Sequence, residues 1–112
     1  MSLSTHVLDI ARGRPAPGIP VILSTQGPAG WTELARGKTD ADGRIPTLLA
    51  ASAPIAPGTT LRLRFELSGY FTSLGVPTFF PYAEVVFILQ DDGHHHVPLL
   101  LSPFGYSTYR GS

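Results

Sequence analysis

The sequence predicts an all-β fold, a sandwich of two packed sheets. Eleven prolines and 12 glycines are spread through the 112 residues as punctuation, and the runs between them are short and rich in Val, Ile, Leu, Thr, Phe and Tyr. Several of those runs alternate apolar and polar residues with period two, the pattern of a strand with one buried face. Only one segment, SGYFTSLGV, accommodates a short helix.

Taken in order, THVLDI alternates, RGRPAPG breaks the chain, and IPVILST resumes as a second strand before the QGPAG turn. WTELARGKT makes a third strand, DADG a tight turn, and RIPTLL a fourth. After the loop ASAPIAPG, the segment TTLRLRFEL sets Leu61, Leu63, Phe65 and Leu67 against polar or charged neighbours, the clearest half-buried strand in the chain. YAEVVFIL, HHHVPLLLS and YSTYRG supply three more, the last two joined around Pro103, Phe104 and Gly105. Eight strands suit a two-sheet sandwich. Trp31, Phe65 and Phe87 are read as core or sheet packing.

The length fits a single domain over residues 1–112, since two domains would leave each half too short to bury its own core. Eight basic residues balance eight acidic ones, and there is no basic block to follow a phosphate backbone, so nucleic acid is not an expected partner. Zero net charge leaves little self-repulsion and favours association. There is no cysteine, hence no disulfide, which fits a reducing compartment. No apolar run approaches the roughly 18 residues of a membrane span. The opening MSLSTHVLDI has neither the charged start nor the apolar stretch of a signal peptide. A cytoplasmic protein with no membrane partner is the expectation.

Period-two geometry sorts the residues able to do chemistry. Along HHHVPLLLS, His94, His96, Pro98 and Leu100 share one face, and His95, Val97, Leu99 and Leu101 the other. On the first strand His6, Leu8 and Ile10 share a face, opposite Val7 and Asp9. If the two strands contribute to one surface, His6 and His96 meet there. An imidazole titrating near pH 6.5 both takes and gives protons at cell pH. Arg44, after the Asp42-Gly43 turn, offers a permanent positive charge for a developing oxyanion. The ordinary reading of such residues is a solvent-facing or hydrogen-bonded histidine and an exposed turn arginine. His94 and His96 also raise a zinc site, but no Cys, Asp or Glu completes the ligand set, so no metal and no cofactor is expected. No G-x-S-x-G elbow supports a serine hydrolase.

Three blocks, LSTHVLDIARGRPAPGIPV, TDADGRI and HHHVPLLLSPFGYSTYRGS, resemble the 5-hydroxyisourate hydrolases, also called transthyretin-like proteins. The likeness extends over essentially the whole chain and includes Trp31, Gly69 to Phe71 and FFPYAEVVF. It implies a transthyretin-like β-sandwich of two four-stranded sheets with one short helix, assembled as a homotetramer with active sites at the subunit interface. It implies the metal-free hydrolysis of 5-hydroxyisourate, the product of urate oxidation, in purine degradation. The family's catalytic residues fall on His6, Arg44 and His96, and its substrate-contacting YRGS motif on Tyr109, Arg110, Gly111 and Ser112. Leu8 and Pro98 fit the walls of that pocket or the packing between subunits.

Transthyretin, the hormone carrier of the same fold, has lysine, glutamate and threonine where this chain has His6, Arg44 and His96, and it lacks the YRGS ending. A non-catalytic carrier of a small aromatic ligand is therefore the alternative, and this chain has the enzyme's set. One departure is His95, where the family usually has tyrosine; by alternation it faces away from His96, toward packing rather than chemistry.

Overall fold

The alternation in TTLRLRFEL decides how the second sheet lies on the first. In the computed structural model, which describes residues 1–112, Leu61, Leu63 and Phe65 are fully buried while Arg62 and Arg64 between them face outward, half-buried. This strand is β6 (Thr60–Glu66). The others are β1 (Ser2–Asp9), β2 (Arg14–Pro15), β3 (Pro20–Gly27), β4 (Gly30–Lys38), β5 (Arg44–Leu49), β7 (Tyr82–Ile88), β8 (His94–Ser102) and β9 (Gly105–Thr108), with one helix, α1 (Ser68–Leu74). One sheet runs β4-β3-β6-β7; the other runs β2-β1-β8-β9, with β5 also paired to β1.

The second of these sheets has five strands where four were expected. The extra one, β2, lies inside the RGRPAPG break: a turn with Gly13 at φ 69° returns the chain so that Arg14 and Pro15 pair with Asp9 and Leu8. Strand β5 pairs with the other end of β1, through Leu3, Thr5 and His6. The two short strands thus share one edge of β1, and the sheet is still four strands wide. The final strand also stops earlier than expected, at Thr108, and a single bridge between His96 and Gly111 follows.

Between the sheets, Leu3, Val7, Val97, Leu99 and Leu101 meet Val21, Leu23, Leu61, Leu63, Phe65, Ala83 and Val85 in one buried cluster. Each fully buried Leu or Phe contributes about 1.5–3 kcal/mol through removal of its apolar surface from water. Phe87 is half-buried against this cluster, and Trp31 packs on the outer surface beneath the Arg62 guanidinium, 4.5 Å from its ring centre. His95 faces the interior, as alternation requires, and is buried. Its Nε2 accepts from the Gln90 N–H at 3.2 Å and its Nδ1 lies 3.2 Å from the Gly93 carbonyl. Since a carbonyl only accepts, Nδ1 carries the proton and the ring is neutral. That satisfies a polar group that would otherwise be costly to bury.

Helix α1 ends at Gly75, whose φ of 67° is left-handed, and the cap N–H bonds back to Phe71 and Thr72. Phe71 is buried in the core, and Tyr70 reaches across to β1, its hydroxyl donating to Asp9 Oδ2 at 2.6 Å. The buried Asp9 carboxylate also accepts the Arg12 N–H at 3.0 Å. Burial, and then the bond to Asp9, push the Tyr70 phenol above its ordinary value, so it remains a donor throughout the neutral range. Tyr70→Phe leaves this carboxylate one partner short, and an unfolding titration is expected to show a loss of about 1–3 kcal/mol.

Candidate functional site

The site forms because β1 and β8 pair in parallel and in register. Ser2 stands beside His94, Ser4 beside His96 and His6 beside Pro98. Neighbours in a pleated sheet point to the same face, so Ser2, Ser4, His6 and Leu8 share the outer face with His94, His96, Pro98 and Leu100. The opposite faces carry the core residues Leu3, Val7, Val97 and Leu99. Strand β5 adds Arg44, paired with His6 on the other side of β1. His6 is thus flanked by Arg44 and Pro98, with His96 diagonally beyond.

The turn that delivers Arg44 is tied down. Asp40 Oδ1 accepts the backbone N–H groups of Asp42 and Arg44, each at 2.9 Å. Gly43 has φ 74°, its carbonyl accepts the Val7 N–H at 2.7 Å, and a Cβ there would collide with the Val7 carbonyl oxygen. Only glycine meets both demands. The same turn orients His6, whose Nε2 lies 2.9 Å from the Asp42 carbonyl. A carbonyl cannot donate, so Nε2 carries the hydrogen and Nδ1 of the neutral ring is left as an acceptor.

His96 is half-buried, with Nδ1 2.7 Å from Ser4 Oγ. Burial holds its imidazole below the ordinary value of 6.5, assisted by positive charge from His6, Arg44 and His94. It is therefore neutral and able to accept a proton at pH 7. The chain end packs on this ring: the Gly111 N–H donates to the His96 carbonyl at 2.8 Å, and a Cβ on Gly111 would fall 2.5 Å from His96 Cδ2. A cavity of about 330 Å³ opens here, lined by Ser4, Thr5, Arg44, Pro46, His94, His96 and Ser112.

The structure therefore brings Arg44, His96 and Ser112 together around this cavity, with His6 beside Arg44 on the same face and Gly111 against the His96 ring, both outside the lining. Within the single chain it puts Tyr109 and Arg110 elsewhere, in a larger cavity of about 460 Å³ beside Val86, Ile88 and His95. There Arg110 lies 3.8 Å from Asp91, with both side chains exposed. Leu8 and Pro98 are on the site's face but do not line its cavity; Pro98 is buried and its carbonyl accepts the Thr108 hydroxyl at 2.8 Å. Sequence reasoning passed over Ser4 and Pro46, and treated His94 only as a metal ligand. Alternation from His6 back to Ser4 and Ser2 was the available signal.

A family model described as HIUase/Transthyretin matches residues 3–111. The chain belongs to the HIUase/Transthyretin family. It is 50% identical over 111 residues to a 5-hydroxyisourate hydrolase of Salmonella dublin, covering 98% of this chain and 80% of the relative. Among solved structures, a Klebsiella pneumoniae 5-hydroxyisourate hydrolase superposes with a TM-score of 0.85 at 40% identity over all of both chains. Sea bream transthyretin in complex with thyroxine superposes with a TM-score of 0.88 at 36% identity, over 97% of this chain and 93% of that one. The fold is thus transthyretin-like, and backbone likeness does not separate enzyme from carrier. The side chains on this outer face have to do so.

Gly43→Ala combines backbone strain with a clash and is expected to lower the melting temperature measurably. Gly111→Ala has no such strain and is expected to keep its melting temperature while losing kcat, because the new methyl displaces the His96 ring. Thermal unfolding and steady-state kinetics on the two variants check both.

Proposed function

We propose that this chain hydrolyses 5-hydroxyisourate, adding water across the cyclic amide to give 2-oxo-4-hydroxy-4-carboxy-5-ureidoimidazoline. The convergence of His6, Arg44 and His96 on one exposed sheet face carries this reading. The 5-hydroxyisourate hydrolase names of its relatives support it.

The chemistry needs a base for water, a positive charge for the oxyanion and an acid for the departing nitrogen. His96 serves as base. It is neutral, its Nδ1 is held by Ser4, and Nε2 is left to take a proton from water. Hydroxide oxygen then bonds to the carbonyl carbon, and the electron pair moves onto the oxygen facing Arg44. Loss of one such oxyanion donor costs roughly 10²- to 10³-fold in kcat. As the tetrahedral species collapses, the C–N bond breaks, and the proton held by His96 passes to the nitrogen. His6, with Nε2–H locked on the Asp42 carbonyl, presents an Nδ1 lone pair that orients the water. General acid–base assistance of this kind is worth about 10²- to 10⁴-fold.

The assembly we propose is a homotetramer with these sites at subunit interfaces. Strands β7 and β9 are unpaired sheet edges, and Val86, Ile88, Tyr106 and Tyr109 on or beside them are exposed. Exposed apolar edges are the places where sheets pair between chains.

The decay of freshly made 5-hydroxyisourate, followed by ultraviolet absorbance, tests the reaction. Wild-type protein is expected to accelerate it, and folded His6→Ala, Arg44→Ala and His96→Ala to lose at least about 10²-fold. Decay no faster than buffer would favour a transthyretin-like carrier instead. Because the His96 imidazole is depressed, the acid limb of kcat/KM against pH is expected below 6.5. In Arg44→Met, which removes a neighbouring positive charge, the residual activity is expected to show that limb moved upward. Light scattering is expected to give four chain masses for wild type, and fewer for Ile88→Arg.

A further inference from the structure

Four side chains on the outer face of the β1–β8 pair form one continuous hydrogen-bonded chain. Ser2 Oγ lies 2.6 Å from His94 Nδ1, Ser4 Oγ 2.8 Å from His94 Nε2, and Ser4 Oγ 2.7 Å from His96 Nδ1. The parallel register builds it: Ser2 is level with His94 and Ser4 with His96, so each serine hydroxyl falls among imidazoles on its own face. Ser4 and its bond to His96 are shielded, while the bond between Ser2 and His94 is exposed to solvent.

A hydroxyl has one hydrogen to donate. If Ser4 donates to one ring it must accept from the other, so the chain has two polarities. In one, His96 and His94 both carry hydrogen on Nδ1; in the other, both carry it on Nε2. Moving from the first to the second shifts each hydrogen one bond along and delivers a proton from His96 to the surface at Ser2.

We propose that Ser4, His94 and Ser2 are a proton relay that exchanges protons between His96 and solvent during turnover. This rests on His96 being the base of the proposed hydrolysis. When His96 Nε2 takes a proton from water, the ring becomes an imidazolium close to Arg44 and His6. Its Nδ1 hydrogen moves to Ser4 Oγ as the Ser4 hydrogen moves to His94 Nε2, and the positive charge passes from the half-buried ring to the exposed one. The His94 Nδ1 hydrogen then moves to Ser2 Oγ as the Ser2 hydrogen leaves to bulk water. As the C–N bond breaks the sequence runs backward: a proton from solvent restores Nδ1–H, and the His96 imidazolium so formed gives its Nε2 hydrogen to the departing nitrogen. One proton leaves and one returns, so the cycle balances. Relief of the repulsion between His96 and Arg44 drives the outward step, and Ser4 and His94 act through His96 without touching substrate.

The test is a proton inventory, kcat measured across mixtures of light and heavy water, for wild type, Ser4→Ala, Ser4→Thr and His94→Ala, with His96→Ala alongside. Wild type is expected to give a curved inventory, from more than one proton in motion. Ser4→Ala and His94→Ala are each expected to lose on the order of tenfold in kcat, less than direct loss of the base, with KM unchanged and a linear inventory. Ser4→Thr, which restores the hydroxyl, is expected to recover both. A linear wild-type inventory, or wild-type kcat in Ser4→Ala or His94→Ala, would overturn the relay. So would a loss confined to Ser4→Ala, which would make Ser4 only a support for the ring. Inactivity of His96→Ala beside those results would leave the hydrolase reading standing, whereas wild-type turnover in His96→Ala would remove both. Ring nitrogen shifts in the unaltered protein supply a check free of folding effects: His94 and His96 are expected to hold the same tautomer, and opposite tautomers would refute the chain.

Discussion

The parallel pairing of β1 with β8 is the constraint on which the rest of the molecule depends. It joins residues about ninety positions apart in the sequence, from Ser2 beside His94 to Asp9 beside Leu101. On the inner face this register buries Leu3, Val7, Val97, Leu99 and Leu101; on the outer face it lines up Ser2, Ser4 and His6 with His94, His96 and Pro98. Because side chains alternate, a slip of one residue would put His94 and His96 into the core and Val97, Leu99 and Leu101 into water. The hydrophobic effect therefore sets the position of the chemistry.

Around that pair, the remaining elements hold or tune groups that the register has already placed. The Asp40 and Gly43 turn brings Arg44 beside His6 and gives His6 its tautomer through the Asp42 carbonyl. Gly111 brings the end of the chain against His96 with no side chain to obstruct the ring. Burial and neighbouring positive charge then keep His96 neutral, as a base acting near pH 7 requires. Each contribution is local. Their common reference is the outer face of one sheet.

His95 shows how the same strand serves two ends. Flanked by two residues of the site, it points the other way, is buried, and spends both ring nitrogens on the Gln90 and Gly93 backbone. Of three consecutive histidines, His94 and His96 thus line the site's cavity, one exposed and one half-buried, while His95 is a core ring. Composition alone would read them as one cluster; the pleat separates them.

Much of this was legible in the sequence because its signals are local. Period two in TTLRLRFEL and HHHVPLLLS determined which residues face the core, glycines and prolines marked the turns, and SGYFTSLGV was the only place for a helix. The enzyme-like set at His6, Arg44 and His96 was also recognisable by resemblance. What tertiary structure decided depends on long-range pairing. Alternation says which face a residue occupies but not which strand lies beside it, so Ser4 at the centre of a histidine pair could not be read from spacing. The added strand at Arg14–Pro15 depended on a turn back onto β1, and a two-residue pairing leaves no period to detect. Tyr109 and Arg110 lie in a different cavity from Ser112 because the chain crosses over His96 at Gly111, a direction that only the folded backbone supplies.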